Sequence, residues 1–381
     1  MKKYSLLLLL ILFGSTGCQQ KEVVEADRGN SSAVAPDKGY QNVFDKDYEQ
    51  HQISSRMRAN FKHAKEPLGS ERFHNFSSAG LNIYLPENMK PADRFTGFVG
   101  KNSDKGTATM VIVTNPFSMQ ATTEPIVSGA IHDGRSGILF SERVSVAGRE
   151  GAFYFTQEKF ENVTIGKYVV TFGNDGFSWI VKCAFSNEQE TEYGAELLKA
   201  LLNIEITEER APVGEDIVFT MNSDSLVLTD GFVDKLVFTL TGKFPENTVK
   251  EPVFQATRSV VEMEHKDENK QALARLLIPP TPDFEVNVVS SEKEIELDGM
   301  GGYEFVSIGR DRLSDEPLMI YSAVVFDRQD SYLMHGWASS DNEKSYIGDF
   351  RALAHSLKRK NKPASSAETK ESAATEVEPT N

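Results

Sequence analysis

Histidine, cysteine and serine side chains are considered first, because they supply many of the metal ligands, bases and nucleophiles in proteins. The histidines are His51, His63, His74, His132, His265, His335 and His355. No two of them lie at a metal-ligand spacing on one predicted element. Gly134-Arg135-Ser136-Gly137 lacks the G-x-S-x-G spacing of a nucleophile elbow and predicts a polar turn. The sequence therefore predicts no catalytic residue, no metal site and no cofactor.

Two other chemical candidates have plain structural explanations. Gly299-Met300-Gly301-Gly302 is glycine-rich but leads into a strand-like run, so it offers no helix N-terminus to a phosphate. Cys183 lies on the apolar side of the alternating run FSWIVKCAF, in which Ser178 and Lys182 point the other way. The alternation predicts a buried, inert thiol and a sheet with one buried and one partly wet face.

The start of the chain predicts where the protein works. Lys2 and Lys3 precede the apolar run Leu6–Phe13, which is too short to span a bilayer and fits a signal peptide. Small residues and then Cys18 follow, so residues 1–17 resemble the signal of bacterial lipoproteins. That resemblance implies cleavage before Cys18, lipidation of its thiol and a firm membrane anchor. A plain secretory signal with an incidental cysteine is the alternative.

Charge and composition limit the partners and mark the flexible ends. The net charge is −15 for the chain and −17 without Lys2 and Lys3, which makes nucleic acid an unlikely partner. Residues 18–72 are polar and are predicted to form a flexible tether, with a short helix at Tyr40, Phe44 and Tyr48. Residues 360–381 are predicted to be a disordered acidic tail.

The remaining sequence contains a module that occurs twice. VAGREGAFYF at 146–155 is echoed by LDGMGGYEFV at 297–306, and each is followed by a polar loop, a β-rich run and a tight turn. Each copy ends in an amphipathic helix, in which Tyr193 and Tyr346 are 153 residues apart. We therefore predict a first domain at 73–208 and a second at 215–359, joined by a charged linker. Gly148 and Gly299 are expected in hairpin turns that require a positive φ.

The order of elements in each copy predicts an α+β fold, an antiparallel sheet with helices packed on one face. The order IYLP, GFVGK, ATMVIV, V-x-G-x-x-G, a hairpin and a closing helix resembles the PsbP-like superfamily, which includes bacterial envelope proteins of the DcrB type. This resemblance implies a binding or assembly factor. Five aromatic residues crowd the first copy: Phe73, Phe76, Phe95, Phe98 and Phe117. They are explained either by a buried core or by an exposed partner-binding patch.

The functional hypothesis is a non-enzymatic binding or assembly factor of the bacterial cell envelope. It is expected to be anchored through Cys18, to face the periplasm, with the outer membrane favoured, and to bind an envelope protein, with the cleft between the copies as a suitable site. The alternatives are an envelope hydrolase with dispersed site residues and a purely structural surface lipoprotein.

Overall fold

The structure, a computed structural model, describes residues 53, 55–62, 64, 72–100, 108–120, 122–123, 136–160, 163–186, 189–207, 210–245, 247–260, 267–278, 284–312, 314–328, 330–340 and 343–360. The predicted signal peptide, Cys18, the Tyr40–Tyr48 stripe and the tail beyond residue 360 lie outside the described residues. We call residues 72–207 the first half and residues 210–360 the second half.

The first half is built around one antiparallel sheet. Its elements are β1 Phe73–Phe76, β2 Leu81–Tyr84, β3 Met89–Pro91, β4 Gly97–Gly100, β5 Thr109–Asn115, β6 Ser136–Val146, β7 Arg149–Phe160, β8 Val163–Gly173, β9 Ser178–Ser186, α1 Glu190–Leu202 and β10 Ile204–Ile206. Seven strands form the first sheet, in the order β3-β4-β5-β9-β8-β7-β6. A small sheet, β1-β2-β10, brings the strand after α1 back to the start of the half.

The second half repeats this order. Its elements are β11 Phe219–Thr220, β12 Val227–Leu228, β13 Lys235–Thr239, β14 Val253–Arg258, α2 Asp267–Leu276, β15 Phe284–Leu297, β16 Met300–Asp311, β17 Pro317–Asp327, β18 Asp330–Ser339, α3 Glu343–His355 and β19 Lys358–Arg359. The second sheet has the order β12-β13-β14-β18-β17-β16-β15. Every strand pair among the described residues is antiparallel, which confirms the predicted class of antiparallel sheets with helices.

The glycine motif that the halves share has a conformational cause. Ala147 and Gly148 both have positive φ, 51° and 73°, and Asp298 and Gly299 have 51° and 77°, which confirms the predicted hairpin turns. The later glycine of the motif lies within a strand, where the neighbouring strand comes close. A Cβ on Gly302 would lie 2.0 Å from the Val324 carbonyl oxygen. The motif therefore specifies a hairpin and a close strand contact.

The second face of β9 is more buried than the alternation indicates, although Lys182 on that face remains partly exposed. In β9, Ile180 and Ala184 are buried on the face opposite Trp179 and Val181. The sequence of β9 did not indicate this burial, because Ile180 and Ala184 alternate along the second face with the polar side chains of Ser178 and Lys182.

Helices also cover both faces of the second sheet, contrary to the prediction of helices on one face. Phe350 and Leu353 of α3 pack with Tyr321 and Met334. Ala274 of α2 packs instead with Phe305, Val324 and Leu333, whose side chains alternate to the opposite face. The physical reason is that these long strands carry apolar residues at consecutive positions, and both sets require cover.

The predicted tether ends earlier than residue 72. Residues 55–62 are helical, and Ile53, Met57 and Phe61 are buried in the first core. The Asn203 side-chain amide donates a hydrogen bond to the Ala64 carbonyl at 3.0 Å, beside the end of α1. Because Ile53, Met57 and Phe61 recur every four residues, they form one apolar stripe on a helix. We call residues 53–64 the N-terminal helical segment.

Within the described residues, no helix combines the length and the apolar character needed to cross a membrane.

Candidate binding cleft between the two halves

Corresponding loops of the two halves meet at their junction. Phe98 of β4 and Phe238 of β13 occupy the same place in their sheets, since each pairs with the strand that follows it at equivalent registers. Arg94 and Asp234, each four residues earlier, are therefore counterparts. Arg94 reaches Asp330 of the second half, and Asp234 reaches Thr96 of the first half.

Asp330 is the centre of an ionic cluster at this junction. Arg258 donates from Nε to one carboxylate oxygen at 3.1 Å and from Nη2 to both oxygens at 2.9 Å. Arg94 donates to the same carboxylate from across the junction. About a fifth of each side chain is exposed, so these charge-assisted bonds are stronger than those of a fully solvated pair.

Asp234 forms a second connection between the halves. Its two carboxylate oxygens accept from the Thr96 backbone N–H at 2.6 Å and from the Thr96 hydroxyl at 2.8 Å. Burial raises the pKa of the carboxyl to about 6, and the nearby Asp216 adds to this, although the Thr96 hydrogen bonds act in the opposite direction. Asp234 also has a positive φ of 58°, a conformation that Asp adopts more readily than most residues.

Aromatic contacts lie beside the ionic ones. The Arg210 guanidinium lies 3.6 Å from the centre of the Phe177 ring and 5.2 Å from that of Trp179. The rings of Phe117 and Phe244 meet edge to face with their centres 5.1 Å apart. The junction therefore combines apolar, cation–π and ionic contacts.

A cavity of about 280 Å³ opens between these contacts. The first half contributes β1, the turn after it and the loop before β4, and the second half contributes β11, Asp234 and Arg258. The polar lining residues are His74, Asn75, Ser77, Ser78, Asp93, Arg94, Thr96, Asp216, Asp234 and Arg258. We call this cavity the cleft. Its polar lining from two sequence-distant segments suits recognition of a polar ligand or peptide segment by hydrogen bonds.

A serine–histidine pair is the nearest approach to a catalytic arrangement among the described residues. Ser322 Oγ lies 3.0 Å from His335 Nδ1, and burial lowers the pKa of the imidazole to about 4, so it is neutral at pH 7. However, Ser322 has no exposed surface and His335 is 4% exposed. A substrate carbonyl cannot reach this hydroxyl, so the pair acts as a buried hydrogen bond in the sheet.

The structure tests the predictions made for several individual residues. Cys183 is a buried free thiol whose pKa is raised well above its usual value by burial, which confirms the prediction of an inert cysteine. Ser136 begins β6, so the predicted polar turn is wrong at that residue. Met300 begins β16, so Gly299–Gly302 leads into a strand as predicted. Among the described residues, no group of three or more His, Cys, Asp or Glu side chains is placed to hold a metal ion.

The remaining histidines and the aromatic residues divide between core and junction. His74 lines the cleft and packs against Phe76 and Phe98. Phe76 and Phe98 are buried core residues, as one alternative predicted, and Phe73 packs against that core. Phe95 lines the cleft, and Phe117 contacts Phe244 of the second half. His355 lies 3.6 Å from Glu304. His51, His63, His132 and His265 lie outside the described residues.

Sequence reasoning did not find Arg94, Asp234, Arg258 or Asp330. The signal that locates them is a difference between the halves. The register makes Thr114 the counterpart of Arg258, and Phe177 the counterpart of Asp330. At both positions the first half has a neutral or apolar residue and the second half has a charged one. Such differences between counterpart positions identify a surface that the halves do not share.

Comparison with known proteins gives no family assignment. No family model matches the chain, and no curated protein matches it. The solution structure of cyanobacterial PsbP (CyanoP) from Synechocystis sp. PCC 6803 is similar at 8% identity and a TM-score of 0.27, covering 37% of this chain and 98% of that chain.

Two further solved structures are similar over a longer part of the chain. A chain of the Tle4–Tli4 complex has 10% identity and a TM-score of 0.27, covering 77% of this chain and 100% of that chain. The immunity protein TplEi of the T6SS from Pseudomonas aeruginosa has 11% identity and a TM-score of 0.26, covering 76% of this chain and 96% of that chain. At these TM-scores the likeness does not indicate a function.

Proposed function

We propose that this protein is a lipid-anchored factor of the bacterial cell envelope that binds a partner protein without catalysing a reaction. The observation that carries the proposal is the cleft, which neither half forms alone. Two tandem PsbP-like domains, one for each seven-stranded sheet, account for the repeated strand order. Clefts between domains are common binding sites because two surfaces converge there.

The contacts around the cleft favour binding over hydrolysis. Arg94 and Arg258 are both paired with Asp330, and Asp234 accepts two hydrogen bonds from Thr96. These groups orient one another and connect the halves. A hydrolase requires a nucleophile within reach of a base and of substrate. Ser322 lies within reach of His335 as a base, but both residues are buried, so a substrate cannot reach them.

The anchor and the location are the second part of the proposal. Lipidation of Cys18 attaches the chain to a membrane facing the periplasm, with the outer membrane favoured, and residues 19–52 connect that anchor to the N-terminal helical segment. Cys18→Ala is expected to abolish acyl labelling and to move the protein from the membrane to the soluble fraction. Labelling that persists in this variant would contradict lipidation of Cys18 but would leave the proposal of partner binding in the cleft unaffected.

The binding function is tested with a photo-crosslinking residue placed at Asp93, which lines the cleft. The matched control carries the same residue at Glu150, an exposed position near the start of β7. We expect one envelope protein to be captured from Asp93 in intact cells and not from Glu150. Identical captures from both positions, or none from Asp93, would contradict the proposal and favour a purely structural lipoprotein.

A further inference from the structure

Two helices, α1 and the N-terminal helical segment, cover one face of the first sheet. The N-terminal helical segment lies beside α1 on that face. Its Phe61 ring packs edge-on against Phe153, with the ring centres 4.8 Å apart, and lies 5.8 Å from that of Phe140. Arg56 forms a 2.7 Å salt bridge with Glu190 of α1. The segment also carries Arg58 and Lys62, so a basic amphipathic helix covers this face and one of its charges pairs with an acidic residue of α1.

The corresponding face of the second sheet has different residues at the same places. The strand registers make Glu304 the counterpart of Phe153, and Ser291 that of Phe140. Glu304 is buried and accepts hydrogen bonds from Arg351 Nε at 3.0 Å and from the Tyr321 hydroxyl at 3.2 Å. An ionic cluster therefore stands where the first half receives the Phe61 ring.

Apolar side chains next to this cluster remain open to solvent. Val288 of β15 and Ile308 of β16 are directly opposite one another, so both point to the α3 face. They are 56% and 43% exposed, although Val306, two residues before Ile308 on the same face, is buried in the core. An apolar strip thus runs from the core to the surface along these two strands.

Two positions beside this strip carry more positive charge than their first-half counterparts. Lys293 stands in the place of Glu142, since each is paired with the counterpart position of the neighbouring strand. Arg351 stands in the place of Leu198, because α1 and α3 match residue for residue over their lengths. Arg351 and His355 are 42% and 45% exposed. We call Val288, Lys293, Ile308, Arg351 and His355 the β15–β16 surface.

We propose that the β15–β16 surface binds an amphipathic helix with an acidic polar face, supplied by a partner protein. Val288 and Ile308 would contact its apolar stripe, as Phe140 and Phe153 contact Phe61 in the first half. Lys293 and the exposed part of the Arg351 guanidinium would pair with its carboxylates. None of these five residues lines the cleft, so the inference does not depend on the proposed function.

Two peptides with one apolar stripe test this inference on the full chain. Both have the sequence of residues 53–64, and the acidic one carries Arg56→Glu, Arg58→Glu and Lys62→Glu. Fluorescence anisotropy of the labelled peptides measures their dissociation constants. We expect the acidic peptide to bind roughly tenfold or more tightly than the basic one, with the difference shrinking at high salt.

Ile308→Asp is expected to weaken acidic-peptide binding by roughly tenfold or more, because it places a like charge in the apolar strip. Val227→Asp is the matched control: Val227 is 50% exposed but lies on β12, at the opposite edge of the second sheet. Equal binding of the two peptides, or equal effects of the two substitutions, would overturn the proposal. So would a dimer that Ile308→Asp dissociates, because the occupant would then be a second copy.

Discussion

At the scale of single residues, Asp330 connects the two halves through a side chain that no sequence motif identifies. It accepts hydrogen bonds from Arg258 in its own half and from Arg94, which is 236 residues away in the chain. Its first-half counterpart, Phe177, packs under Arg210. Counterpart positions in the two halves therefore both contribute to the junction, Phe177 through its ring and Asp330 through its carboxylate.

Asp330→Asn is predicted to destabilise the protein by about 1–3 kcal/mol, because it removes the charge that two partly buried guanidinium groups share. Asp315→Asn is the control, since Asp315 pairs with Arg310 at a site where its own side chain is 75% exposed, and solvent screens that pair. Urea denaturation followed by circular dichroism compares the two. Equal unfolding midpoints in both variants would show that the Asp330 cluster stabilises the protein no more than the exposed pair of Asp315 with Arg310.

His335 predicts how stability depends on pH. Burial lowers its folded-state pKa to about 4, whereas an unfolded histidine titrates near 6.5. The unfolded state therefore takes up a proton first as the pH falls, and the folded state loses about 3 kcal/mol between pH 6.5 and pH 4 from this group. His335→Gln should lose that part of the acid sensitivity.

The matched variant for this test is Ser322→Ala, which removes the hydrogen bond to His335 but keeps the imidazole. Because burial is what lowers the pKa, Ser322→Ala should keep the acid sensitivity that His335→Gln loses. The measurement is the free energy of unfolding at pH 7.5, 5.5 and 4.5. A pH dependence that is the same with and without His335 would contradict the assignment.

At the scale of elements, the hairpins and the closing helices follow from local sequence. Asp298-Gly299 determines a tight turn, and the Tyr346–Phe350–Leu353 spacing determines a helix, because both depend on residues close in the chain. The N-terminal helical segment was equally readable from Ile53, Met57 and Phe61, but its polar surroundings made it resemble a tether. The position of α2 on the opposite face depends on distant strands and has no local signal.

The shared glycine of the two hairpins predicts a position-specific cost on one strand. Gly302→Ala would place a Cβ 2.0 Å from the Val324 carbonyl oxygen, so β16 and β17 must separate. We expect a destabilisation of about 1–3 kcal/mol. Gly301→Ala, one residue earlier, meets nothing within 4 Å and should be neutral or slightly stabilising. Thermal unfolding of both variants checks this, and equal melting temperatures would contradict the close contact.

At the scale of the whole molecule, the junction determines whether the two halves behave as one unit. The recurrence of turns and helices at nearly constant spacing was readable from the sequence. The junction was not, because its pairs join loops whose charges have no local periodicity: Arg94 with Asp330, and Asp234 with Thr96. Arg94 and Asp234 occupy counterpart positions in the two halves, and their charges are opposite.

Tryptophan fluorescence can follow each half separately, because the chain has two tryptophans, Trp179 in the first half and Trp337 in the second. Each is anchored alike, through an indole hydrogen bond to a backbone carbonyl at 2.8 Å and 2.9 Å. In Trp179→Phe and Trp337→Phe variants, the remaining tryptophan reports one half. We predict that both report the same urea midpoint, since the junction couples the halves.

Arg94→Ala combined with Asp234→Asn removes one charged group from each of the two connections, and Asn keeps the positive φ that residue 234 requires. In this background the two midpoints should separate by roughly 0.5 M urea or more, because each half then unfolds according to its own stability. Midpoints that already differ with the junction intact would show that the halves are uncoupled. Midpoints that still coincide after the double substitution would place the coupling in the aromatic contacts of Phe117 with Phe244 and of Arg210 with Phe177.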